Sequence, residues 1–174
     1  MEQIYVNSIK NDPENQCCYV VDYLIRRDNS LTDHIVLECE EPARPELDKA
    51  IAAMPEFFCQ LAGLRPFDAA DPGNVSGLMH RVKFLKAARA EGKNGLKYSI
   101  WVKVYNHLLG KYMTIALTGI PANTLVKNNP FEKLFAEAEL YAAGHRAQES
   151  LFNEEDEEAD EEDDPKVIPL NQAS

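Results

Sequence analysis

The residues of this chain best suited to chemistry are flat rings and ammonium groups set side by side. Trp101, Lys103 and Tyr105 alternate along KYSIWVKVYN, and Tyr112 opens the segment that follows. Alternation places these odd-numbered positions on one side of a strand and Ile100, Val102 and Val104 on the other. With residues 107–110 as the turn of a hairpin, Asn106 lies opposite Lys111. Val104, Val102 and Ile100 then face Met113, Ile115 and Leu117. The second side pairs Tyr105 with Tyr112, Lys103 with Thr114 and Trp101 with Ala116. A one-residue slip would exchange the sides of one strand and destroy the apolar match, so the register is strongly specified.

Exposed rings stack on nucleic-acid bases at about 1–3 kcal/mol each, while neighbouring cations follow the phosphates. Lys97 shares the side of Trp101 and Lys103, and the preceding strand offers Arg81 and Lys83; Lys86 and Lys111 complete the candidate set. Duplex bases are already stacked and would call for the cations but not the rings. The expected ligand is therefore a single strand, DNA in preference to RNA. A competing reading makes Trp101, Tyr105 and Tyr112 a second core layer under the last helix, with Lys103 snorkelling outward. A third sets the same face against protein, as in a subunit of a larger assembly or a DNA-mimicking inhibitor.

Catalysis finds little support. GxxxxGK[ST], GxGxxG and HExxH are absent, and so is GxSxG. His34, His80, His107 and His145 are scattered. Cys17, His34 and Cys39 match no standard zinc spacing. Glu38 and Glu40 would share a strand face without a lysine suitably placed for metal-dependent cleavage. No catalytic residue, metal or cofactor is expected. The cysteines show no CxxC pair, which suits free thiols in a reducing cytosol.

Charge is unevenly distributed. Residues 79–112 carry eight bases (Arg81, Lys83, Lys86, Arg89, Lys93, Lys97, Lys103, Lys111) against Glu91, whereas the whole chain is at −11. Such asymmetry points to a polyanionic or membrane-surface partner. No apolar run is long enough to span a bilayer, and the amino-terminal residues do not read as a secretory signal. A cytoplasmic protein without membrane contact is expected.

The elements that must position these residues are short. Strands are expected at 4–9, 18–25 and 34–39, then a helix from Pro45 to Leu64 that Pro55 should kink or split. A loop over 64–77, a strand over 78–88 and the hairpin follow. A last helix starts at Asn129, with Glu132 at the capping-box position and Phe131, Leu134, Phe135, Ala138 and Tyr141 as its buried stripe. Residues 1–150 form one α+β domain, a mostly antiparallel sheet or small OB-like barrel with two helices. Residues 151–174 form a disordered acidic tail.

That tail packs ten acids into residues 154–164, ending in Asp163 and Asp164, and continues through Ile168, Pro169 and Leu170. It resembles the tail of bacterial single-stranded DNA-binding proteins, which join an OB-fold to an acidic segment ending in Ile, Pro and a terminal Phe. Here Leu170 stands in place of Phe, Lys166 interrupts the acids, and four residues follow. The resemblance implies docking of replication or recombination proteins on these five residues. Independently of it, a tethered polyanion can occupy a basic face of its own chain at high effective concentration. The oligomeric state is not legible.

Overall fold

The segments rich in β-branched and aromatic residues become strands, and Pro-initiated amphipathic segments become helices. The computed structural model describes residues 3–11, 18–27, 32–39, 41–63, 82–106 and 108–146. Arg81, Cys17, Glu40 and the tail residues Asp163, Asp164, Ile168, Pro169 and Leu170 lie outside them. In chain order the elements are β1 (Gln3–Asn11), β2 (Tyr19–Arg26), β3 (Thr32–Glu38), α1 (Pro45–Ala52), α2 (Met54–Leu61), β4 (Val82–Gly92), β5 (Gly95–Asn106), β6 (Lys111–Pro121) and α3 (Pro130–Ala142).

The strands form one antiparallel sheet in the order β3-β2-β1-β4-β5-β6. The sheet is open, with β3 and β6 at its edges, so the barrel alternative does not hold. The reason lies in the core, which forms between one face of the sheet and the helices rather than inside a closed cylinder. α3 packs on β1 and β2, α2 on β4 and β5, and α1 against α3. Between them lie Val6, Ile9, Val21, Phe84, Ile100 and Val102 from the sheet, and Leu47, Met54, Phe58, Leu134 and Phe135 from the helices.

Pro55 splits the expected helix into α1 and α2, as its place inside the apolar pattern implied. Pro55 lacks an N–H, and inside a continuous helix its ring would collide with the preceding turn. The break falls at Ala53, and Pro55 occupies the first turn of α2. Gly63, at a φ of +63°, ends the segment. At the start of α3 the Asn129 side chain accepts from the backbone N–H of Phe131 and Glu132 at 3.0 and 3.3 Å. Glu132 accepts in return from the Asn128 N–H at 2.9 Å, a capping box displaced by one residue. All five expected stripe residues of α3 are buried.

Three bulges reset the alternation of the strands. They fall at Asn7 in β1, at Leu85 in β4 and at Thr118–Gly119 in β6. In each, two inward-facing positions lie three residues apart instead of two: Val6 and Ile9, Phe84 and Ala87, Leu117 and Ile120. Gly119 has a φ of +71° and donates its N–H to Ser99 Oγ at 3.2 Å, a conformation that residues with a Cβ rarely adopt. β4 also runs further than expected. It reaches Gly92 through a two-residue turn at Lys93–Asn94, because the β4–β5 hairpin pairs to its end beyond the cover of β1.

Candidate nucleic-acid interface

The hairpin register is the one read from the sequence: Val104 opposes Met113, Val102 opposes Ile115, Tyr105 opposes Tyr112 and Trp101 opposes Ala116. The helices cover the side of Ile100 and Val102. Trp101, Lys103, Tyr105 and Tyr112 therefore occupy the opposite face of the sheet, open in that none of the described helices covers it. They do not form a core layer beneath α3, whose Phe131 and Phe135 stack on Tyr98 instead. The Tyr98 ring lies 4.6 Å from Phe131 at an interplanar angle of 5°.

The bulge at Leu85 decides which cations join the rings. Lys83 opposes Lys103, and after the bulge Lys86 opposes Trp101. Both β4 lysines thus lie on the open face, while Val82, Phe84 and Ala87 remain in the core. Lys86 Nζ lies 5.5 Å from the Trp101 ring centroid, and Lys83 Nζ lies 5.2 Å from that of Tyr112. Both are within cation–π range. The Tyr105 and Tyr112 rings meet edge to face at 5.2 Å. Tyr112 is 45% exposed, and Trp101 and Tyr105 are half-buried against their neighbours.

Lys10 was missed by sequence reasoning, which saw only the basic block at 79–112. β1 lies beside β4 and places Lys10 opposite Lys86. The open face thus contains two directly opposed lysine pairs, Lys83–Lys103 and Lys10–Lys86. Opposed like charges on a sheet destabilise it by roughly 0.2–1 kcal/mol per pair. Among the described residues no carboxylate forms an ion pair with any of the four; the acids on the helical side and at β3 engage arginines instead.

Not every cation of the basic block joins this face. Lys97 lies on it, four residues along β5 from Trp101. Lys111 does not, because its register opposite Asn106 carries it to the side of Met113, whose Sδ receives the Asn106 amide at 3.4 Å. Arg89 points into the helical layer. It donates to the Val6 carbonyl at 2.6 Å, pairs with Glu139, and lies 4.0 and 4.8 Å from the Tyr5 and Phe135 ring centroids. Met113 and Ile115 are on the helical side as expected, yet 42% and 39% exposed, because β6 lies beyond the reach of the helices.

Toward β2 and β3 the same face carries a carboxylate, Asp22. Asp22 accepts from Asn7 Nδ2 at 3.0 Å and meets His34 Nε2 at 2.8 Å. Burial pushes the Asp22 carboxyl up, but these two hydrogen bonds and the charges of His34 and Lys86 outweigh it and hold its pKa below the ordinary value. His34 is thus on the open face, whereas Cys39 packs against the core. The described residues contain no group of three or more His, Cys, Asp or Glu disposed to hold a metal ion. None of their helices is long and apolar enough to cross a membrane. A groove lined by Glu46, Lys49, Glu132, Lys133 and Glu137 lies between α1 and α3, remote from the rings and open-face lysines. No family model, curated protein or solved structure matches the chain.

Proposed function

We propose that this chain binds single-stranded nucleic acid across the open face of its sheet, DNA in preference to RNA, as an accessory protein of bacterial or phage replication or recombination. Trp101, Tyr105 and Tyr112 supply stacking surfaces. Lys83, Lys86, Lys103 and Lys10 hold the phosphates, and Lys97 extends the track. The observation that carries this reading is the two opposed lysine pairs beside part-exposed rings, none of the four lysines forming an ion pair with a carboxylate among the described residues. A polyanion removes the repulsion that the isolated fold retains. The acidic segment at 154–164 competes for the same face or recruits partners through residues 163–170.

The test is the affinity of a labelled oligo(dT) for the Trp101→Ala variant. Loss of one stacking surface costs about 1–3 kcal/mol, or roughly 5- to 150-fold in Kd, with the thermal midpoint little changed. An unchanged affinity in a folded variant, or no measurable affinity of the unmodified chain at low salt, contradicts the reading. Either result, joined by self-association or a protein partner recovered on pull-down, favours the protein-interaction reading of the face.

A further inference from the structure

The two edges of the sheet differ in a way that nucleic-acid binding does not require. β3 is a seven-residue edge bearing Asp33, His34 and Glu38, and Asp33 is tied to Arg27 at 2.8 Å. Charges of this kind discourage another strand from pairing there. β6 confines its lysine, bulge and proline to its ends, at Lys111, Thr118–Gly119 and Pro121, and leaves its middle unprotected. Its segment Tyr112–Thr118, YMTIALT, contains no charge, proline or glycine, and among the described residues β6 pairs only with β5. Its outer backbone groups have no strand partner among the described residues, and Met113 and Ile115 are exposed on the helical side. An uncharged strand of high β-propensity on an open edge is a template for pairing.

We propose that β6 pairs antiparallel with β6 of a second copy of this chain, joining two sheets edge to edge into one of twelve strands. The strand is self-complementary. An antiparallel two-fold centred on Thr114 or Ile115 keeps Met113, Ile115 and Leu117 on one side and Tyr112, Thr114 and Ala116 on the other. Lys111 lies at the start of the strand, so the two-fold sends the two copies of it to opposite ends. The positive open faces do not oppose the pairing either. Lys103 is on β5, and three strand spacings of about 4.8 Å separate it from its counterpart by about 14 Å. That exceeds the screening length of about 8 Å at physiological ionic strength. Met113 and Ile115 of the two copies meet and leave water, which non-specific edge contacts would not achieve. The pairing does not depend on what the open face binds.

The test is sedimentation equilibrium of the full chain over about a hundredfold range of concentration, combined with amide exchange of β6. The expected result is twice the monomer mass at the upper end, with the outward amides of residues 112–118 slowing at least about tenfold as the dimer forms. Ile115→Lys sets two charges against each other at the seam and should restore the monomer and fast exchange. If that variant fails to fold, Thr114→Lys serves the same purpose from the open side, and exchange in the unmodified chain still decides the matter. A monomer at every concentration overturns the proposal, whether its β6 amides exchange freely or are covered by another part of the chain. A dimer whose β6 amides stay unprotected, or that survives the lysine variants, overturns it as well.

Discussion

The two faces of the sheet use the same residue types to opposite ends. On the covered face, Tyr98 stacks on Phe131 and Phe135 and is buried. Three residues along the same strand, Trp101 lies on the open face with Lys86 as its neighbour. On the covered face the cation Arg89 is satisfied by a carbonyl, a carboxylate and two rings. On the open face four lysines are set against one another. The covered face finds its partners within the molecule, and the open face would find its own, on the proposed reading, in a bound polyanion. Aromatic and basic composition alone does not separate these situations; the position of the helices does.

The sharpest way to break this contrast is to damage one face and measure both properties. Phe131→Ala removes a fully buried ring and leaves a cavity beneath Tyr98. It should cost about 3–5 kcal/mol in urea unfolding, with oligo(dT) affinity per folded molecule unchanged. A loss of affinity in the folded fraction would join the two faces into one functional unit. The reverse experiment is Lys103→Gln. It relieves the repulsion from Lys83 and should raise stability by about 0.2–0.5 kcal/mol. It should also weaken binding and lower the salt slope by about 0.7. A variant that loses stability would show that the lysine pair is not repulsive in the isolated protein.

Much of this contrast was legible in the sequence, and the parts that were not share one cause. The β5–β6 register followed from the apolar match of Ile100, Val102 and Val104 with their partners, because a strand with one covered face tolerates no slip. The α3 stripe and its Asn129 cap followed from helical spacing and capping chemistry. The bulges were missed, since strict alternation assumes none. Apolar positions three apart within a strand, as at Val6 and Ile9 or Phe84 and Ala87, were their available signal. The Leu85 bulge brings Lys86 beside Trp101, and the strand order brings in Lys10 from a distant part of the chain. The charge count over 79–112 misled in the other direction by including Arg89 and Lys111, which face the helical side. Sequence adjacency does not report strand adjacency, and the open edges of the sheet depend on strand order too.

The smallest expected effect sharpens the boundary of the basic face. The folded-state pKa of Asp22 is lowered, so its contribution to stability is present above the unfolded value near 3.8 and is lost as pH falls through the lower folded value. Asp22→Asn should therefore flatten the acid limb of the stability curve below about pH 4 and leave the neutral region nearly level. An unaltered acid limb would show that Asn7, His34 and Lys86 do not hold this carboxylate charged.

The central claim, that the open face receives a single-stranded polyanion against its rings, is tested most directly by the emission of Trp101, the only tryptophan in the chain. Titration with oligo(dT) should quench it saturably. The logarithm of the binding constant should fall with the logarithm of salt concentration at a slope of about −3, as expected for four lysine–phosphate contacts on a single strand. Emission that does not respond at low salt, or a response that salt does not reverse, would contradict it.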